Sequence, residues 1–196
     1  MHCEITHAHL QDAERAERAW LAAIAAARPE CLRGDPALGL LLAAAADEFH
    51  VKVAAVTLVG AHRQTALAVH GADPEALDAD RADSFCDHAI RTPDTLLVPD
   101  AAWDPRFAAN RFVTGGFGLR FYAGAPLWIG DGQAFGAFCL LDSAPRLLGE
   151  VDRLRLHATA AQEIVGQHGL TRALFGMVSD ALLAEFDASR PPLHRR

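Results

Sequence analysis

A chain of 196 residues, 51% hydrophobic and 22% charged, is long enough for one well-buried core and too short for two ordinary domains with a linker. These proportions exclude wholesale disorder and a fibrous architecture. The formal net charge is −7, and the basic side chains are Lys52 and seventeen scattered arginines, so no clustered surface exists to displace counterions from nucleic acid. The apolar windows around 38–46 and 135–141 are too short to span a bilayer, and the N-terminus carries neither a basic start nor an apolar signal core. A cytoplasmic protein with no membrane or nucleic-acid partner is the expectation. Cys3, Cys31, Cys86 and Cys139 are widely and irregularly spaced, which argues against a disulfide framework and a structural metal. The abundance of Ala and Arg with almost no Lys is the composition of a bacterium of high genomic G+C.

The predicted elements follow in chain order. From Ala8 to Ala27, Leu10, Trp20, Leu21 and Ile24 form one apolar stripe at helical spacing. Asp35-Pro36 reads as an N-cap with proline at the first helical position, opening a second helix through Phe49. Val51 to Val59 and Gln64 to Val69 are β-rich runs either side of a short turn, a β-hairpin. Residues 72–83 are acidic and turn-rich, and Ser84 caps a short helix running to Arg91. Thr95 to Val98 is a short strand ended by Pro99-Asp100, followed over 101–118 by a loop with one or two helical turns. Leu119 to Trp128 and Phe135 to Leu141 are strands joined by Gly130-Asp131-Gly132. A helix begins near Gly149 with Val151, Leu154, Ala158, Ala161 and Val165 on one side, and Gly166 and Gly169 are candidates to bend it. A further amphipathic run from Leu170 to Phe186 precedes a tail expected to be disordered. The chain divides on this reading into a helical extension (1–34), a domain (35–168) and a C-terminal helix with its tail (169–196).

Four blocks carry a resemblance: Ser84-Phe-Cys-Asp-His-Ala-Ile90; Leu97-Val-Pro-Asp-Ala101 with Asp104-Pro-Arg-Phe107; Arg120-Phe-Tyr-Ala-Gly-Ala-Pro-Leu127; and Asp131-Gly132, Gly136 and Cys139-Leu-Leu-Asp142. In this order they resemble GAF domains, in particular those in front of bacterial sensor kinases and cyclases. The resemblance implies an α/β (α+β) fold with a central antiparallel sheet of five to six strands. It further implies N- and C-terminal helices packed on one face and a ligand pocket on the other. The predicted hairpins and short connections agree with antiparallel pairing.

Gly124 and Ala125 are too small to fill space, which lets a neighbouring element or a ligand approach the strand backbone closely and leaves room for a pocket. Phe85, Trp103, Phe107, Phe121, Tyr122 and Phe138 are candidates to line it, with Cys86, His88, Asp100, Arg111 and Cys139 as its polar groups. Weighed against this, the aromatic set also reads as plain core, and Cys86 as a small buried residue. Cys86 and His88, two apart, point to different faces of a helix and make no nucleophile and base pair. Asp100, Asp104 and Asp142 each stand at a turn signal, where carboxylates bond nearby backbone amides.

Among GAF proteins, those that bind cyclic nucleotides carry an Asn-Lys…Phe…Asp-Glu pattern. Here only Asn110-Arg111-Phe112 is similar, which disfavours cyclic nucleotide. The absence of a cysteine between Cys86 and Cys139 disfavours a covalent bilin. The expected function is therefore small-molecule sensing in signal transduction, without catalytic residues and with an unidentified ligand. No kinase, cyclase, phosphodiesterase or DNA-binding segment is read after the domain, so the signal is expected to pass to a separate protein or to a second copy. The apolar stripes Leu10–Ile24 and Leu170–Phe186 suit a homodimer through the terminal helices. The enzymatic alternative is a free methionine-(R)-sulfoxide reductase-like protein using Cys86 and Cys139. The third reading is an interaction scaffold with a collapsed pocket.

Overall fold

The computed structural model describes residues 32–129 and 133–167. The helix expected from Ala8 to Ala27 and the run from Leu170 to Phe186 lie outside the described residues.

Helix α1 spans Pro36–Phe49. Its start is fixed as the sequence dictates: the Asp35 side chain accepts a hydrogen bond from the Leu38 amide at 2.9 Å, and Pro36 presets the first helical turn. It ends at His50, which adopts a left-handed conformation with φ 53° and returns its N–H to Ala46 and Asp47. Leu38, Leu42, Ala45 and Ala46 are the buried face. Gly39 lies mid-helix, and a Cβ built there meets nothing within 4 Å. Gly39→Ala is therefore expected to stabilise the domain by about 0.5–1 kcal/mol, read as a higher urea midpoint at unchanged slope.

Strands β1 (Val53–Val59) and β2 (Arg63–His70) form the expected hairpin. The acidic stretch after it is more ordered than its composition predicts. It holds the short helix α2 (Pro74–Leu77), strand β3 (Ala79–Asp80) and a 3-10 turn (Arg81–Asp83). The missed signal was Asp73-Pro74, a repeat of the Asp35-Pro36 start; the Asp73 carboxylate accepts the Glu75 amide at 3.0 Å. Helix α3 (Phe85–Ala89), strand β4 (Leu96–Val98), helix α4 (Arg111–Thr114), strands β5 (Phe121–Ile129) and β6 (Gln133–Asp142), and helix α5 (151–167) complete the order.

The sheet has six strands in the order β3-β2-β1-β6-β5-β4, and every recorded pairing is antiparallel. The pairing of β1 with β6, Thr57 opposite Ala137 and Leu58 opposite Gly136, joins the two hairpins at the centre. At the far side, β4 accompanies β5 only from Tyr122 to Gly124. Farther along β5, Pro126 has no N–H to donate, and the Trp128 N–H is taken by the Gln162 side chain at 2.8 Å.

Strand alternation assigns the two faces. Phe121, Ala123 and Ala125 share a face with their partners Asp142, Leu140 and Phe138. Helix α5 covers this face, with Leu154, Ala158, Ala161 and Val165 buried at helical spacing and the His157 ring stacked on Phe138 at 5.8 Å. His157 also bonds Glu48 of α1 at 2.9 Å, tying the two long helices together. Tyr122, Gly124, Leu141 and Cys139 turn to the opposite face, beneath α3, α4 and the loop between β4 and α4.

Candidate functional site

The site is assembled on that second face. Its floor is Thr57 of β1, Cys139 and Leu141 of β6, and Tyr122 of β5. Phe85 and Cys86, from the first turn of α3, lie against it, and Gln64, Leu77, Phe112 and Leu119 complete the wall.

The position of α3 follows from its cap. Ser84 Oγ accepts the Asp87 amide at 2.9 Å and donates to Gln64 Oε1 at 2.6 Å. Gln64 in turn donates to the Leu77 carbonyl at 2.7 Å, so α3, β2 and α2 are linked in one buried chain. Asp87, 4% exposed, accepts from Arg81 Nε at 2.7 Å and is also bonded by Arg91. Burial pushes its carboxyl up, but the bonds from Arg81 and Arg91 outweigh that and hold it below the ordinary range. The helix so fixed presents Cys86 to the sheet, where the Tyr122 hydroxyl donates to its sulfur at 3.3 Å. Cys139 donates to the Ala55 carbonyl at 3.5 Å.

Between these groups a cavity of about 20 Å³ remains, room for about one water. The space expected beside Gly124 is otherwise taken, and by the strand's own tyrosine. A Cβ at Gly124 would lie 2.2 Å from the Tyr122 hydroxyl and 2.7 Å from its ring. Residues two apart on a strand share a face, so the missing side chain at 124 is the bed on which the Tyr122 ring lies.

Of the predicted site residues, Phe85, Cys86, Tyr122 and Cys139 meet at the cavity. Phe107 stands one layer back, stacked on Phe85 at 3.9 Å, with the His88 ring edge-on to it at 4.9 Å. Three expected wall residues are elsewhere. Phe121 and Phe138 face the helical layer, because each differs in parity from the residues that point to the cavity. Trp103 is 83% exposed on its loop, where no strand or helix periodicity fixes a direction. Arg111 lies over the Phe112 ring at 4.5 Å, donates to the Asp78 carbonyl at 2.8 Å and pairs with Asp83.

Asp100, Asp104 and Asp142 take the turn role: each accepts the amide two residues on, Ala102, Arg106 and Ala144, at 3.2, 2.9 and 3.0 Å. Each is also held by an arginine, Asp100 by both ends of the Arg120 fork at 2.6 Å. Thr57, Gln64, Leu77, Phe112, Leu119 and Leu141 were not singled out from the sequence. Thr57, a lone hydroxyl in the apolar run of β1, was the one legible signal among them.

The electrostatics of the cavity are set by burial and by hydrogen bonds among its own groups. Burial pushes the Tyr122 phenol well above its ordinary value, with the two thiols adding to the effect. Hydrogen bonding to Cys86, together with burial, pushes Cys139 well up. The same bond, with further bonds from Thr57 and Tyr122, draws Cys86 down against its burial. His88 is lowered by burial and then by Arg91.

These shifts set a pH dependence. A depressed carboxyl or imidazole pKa in the folded state means that the unfolded chain binds more protons, so stability falls on acidification. The His88 contribution is present above about pH 6.5, and those of Asp87, Asp100 and Asp142 above about pH 4. The expected result is a thermal midpoint that declines from about pH 6.5 and steepens below about pH 4. Arg81→Met should flatten the acid limb in a pH series of thermal melts.

Among the described residues, no group of three or more His, Cys, Asp or Glu is placed to hold a metal ion, and no helix is long and apolar enough to cross a membrane. The family model for the GAF domain matches residues 34–166. A cyclic di-GMP phosphodiesterase of Pseudomonas aeruginosa is 40% identical over 106 residues, a stretch that is 54% of this chain and 18% of that protein's length. Among solved structures, residues 122 to 287 of a methyl-accepting chemotaxis protein align at TM-score 0.58 and 15% identity, covering 76% of this chain and 98% of that one. A type II free methionine-R-sulfoxide reductase from Thermoplasma acidophilum aligns at TM-score 0.56 and 13% identity, covering 71% and 95%. The GAF domain of an Acinetobacter phosphoenolpyruvate-protein phosphotransferase aligns at TM-score 0.53 and 13% identity, covering 77% and 98%. At these identities the solved structures share the fold alone. The order of strands, the helical layer on one face and the family match over two thirds of the sequence lead to one conclusion: this chain belongs to the GAF domain family.

Proposed function

We propose that this chain is a regulatory module of signal transduction that takes a small, largely apolar molecule into the space beneath α3, with the Tyr122 ring leaving its bed on Gly124 as the molecule enters. The observation that carries the reading is the cavity at Tyr122, walled by aromatic and aliphatic side chains with Thr57, Gln64 and the two thiols as the few polar groups. A ligand larger than one water requires the ring to move, and the movement is a two-state change of the kind that couples binding to the rest of a fold. The 40% identity to part of a cyclic di-GMP phosphodiesterase supports a place beside signalling enzymes. Output through a separate protein, or through a homodimer of terminal helices, is part of the proposal.

The test is native mass spectrometry of protein purified without refolding, followed by thermal-shift screening with small metabolites. A retained mass, or a midpoint raised in proportion to the logarithm of ligand concentration, is expected. Protein that carries nothing and responds to no compound, in wild type and in Tyr122→Ala alike, would leave only a scaffold. The reductase reading draws on the two thiols at the cavity and predicts thiol-dependent reduction of free methionine-(R)-sulfoxide, lost in Cys86→Ser. An inert protein removes it.

A further inference from the structure

The residual cavity is bordered by two thiols whose response to an oxidant the ligand reading leaves out. Cys86 comes from α3 and Cys139 from the centre of β6, fifty-three residues apart in the chain, yet both line the same small cavity. Neither is in a disulfide. We propose that Cys86 and Cys139 are an oxidative modification site, a dithiol that a small hydroperoxide converts into a disulfide clamping α3 to the sheet.

The size of the space selects the oxidant. A cavity of about 20 Å³ holds about one water, so hydrogen peroxide, with only two heavy atoms, needs a small widening of the space where a glutathione disulfide is excluded outright. The surroundings divide the labour. The hydroxyl of Tyr122 donates to Cys86 Sγ at 3.3 Å, which favours a thiolate there, while the Cys139 thiol keeps its proton. The Cys86 sulfur attacks one peroxide oxygen and the O–O bond breaks. The departing hydroxide takes up the proton that Cys86 gave up and leaves as water, so that Cys86 becomes a sulfenic acid. Cys139 then attacks the Cys86 sulfur, the S–O bond breaks, and the hydroxide leaves as a second water with the Cys139 proton. In sum, two thiols are oxidised to one disulfide and one peroxide is reduced to two waters.

The disulfide would draw the Cys86 sulfur away from the Tyr122 hydroxyl and close the space under α3. This site stands apart from the ligand reading, since its readout is thiol chemistry and it holds whether or not a metabolite binds.

The experiment uses the full chain carrying Cys3→Ser and Cys31→Ser, so that Cys86 and Cys139 are the only thiols. The folded protein is reduced, freed of reductant, exposed to hydrogen peroxide, quenched, unfolded and alkylated. Expected is the loss of both alkylatable thiols, an intact mass lower by two hydrogens, and a cross-linked peptide pair containing residues 86 and 139. Adding Cys139→Ser should replace the cross-link by a single sulfenic acid at Cys86, captured by a dione probe. Two thiols that stay fully alkylatable, or that gain oxygen separately without a cross-link, overturn the proposal. Because the thiol-only parent is read directly, the result does not depend on how well the single-thiol variant folds.

Discussion

Gly136→Ala is expected to cost more than about 4 kcal/mol, most or all of the stability of a domain this size. Gly136 lies opposite Leu58 in the pairing of β1 with β6, and a Cβ built there would sit 1.8 Å from the Thr57 carbonyl oxygen and 2.8 Å from its carbon. Those atoms are backbone, so no rotamer change relieves the contact. The two central strands must part, which breaks ladder hydrogen bonds worth about 1 kcal/mol each and opens the buried contacts of Thr57 and Phe138. The measurement is a urea titration followed by circular dichroism, or the soluble yield where no folded protein is recovered. Gly116→Ala is the matched control: a Cβ there meets nothing within 4 Å, and its midpoint should stay within about 0.5 kcal/mol of wild type. A Gly136→Ala protein of unchanged stability would mean that the β1–β6 register is not the one described.

Tyr122→Ala should remove about 3–5 kcal/mol, the range for truncating a large buried aromatic side chain, and should at the same time enlarge the cavity enough for an organic ligand. Tyr122 is 1% exposed and its ring rests on Gly124, beside Phe85 at 5.2 Å. Removing it takes away apolar burial, a hydrogen bond to Cys86 and the filling of the space over Gly124 in one step. The two consequences have opposite signs in the presence of a small apolar molecule. Denaturation alone should show the loss, and addition of an indole or benzene-sized compound should restore part of it through binding to the folded state. Tyr122→Phe separates the hydroxyl from the ring and should cost only about 1 kcal/mol. Equal stability of Tyr122→Ala and wild type would show that the ring does not fill the chamber.

The contrast between these two glycines shows how far the sequence could be read. The element order was legible because it rests on local chemistry: Asp35-Pro36 sets a helix start, the β-branched run of β1 a strand, and Ser84 a cap. The resemblance that named the fold drew on residues such as Asp100, Asp104 and Asp142, whose turn roles are equally local. The site was half legible. Small size at Gly124 correctly marked a place where something approaches the backbone, but the approaching group is Tyr122 rather than a ligand. That outcome depends on one side-chain torsion and leaves no trace in composition. Phe121 and Phe138 were misplaced for a different reason: an aromatic next to a small residue in a strand is on the other face, and only the pairing register reveals which face the helices cover. Gln64 and Leu119 reach the cavity from separate strands and loops, a proximity that tertiary closure alone creates.

The short reach of β4 has a consequence for colloidal behaviour. A sheet whose last long strand runs on beyond its neighbour offers donors and acceptors to any extended peptide, which is how strand-by-strand aggregation begins. Here the margin of β5 that β4 does not pair is disarmed twice, by the proline at 126, which can bind no incoming carbonyl, and by the glutamine side chain that occupies the amide at Trp128. Gln162, from a position in a helix, thereby withdraws one backbone donor from that margin.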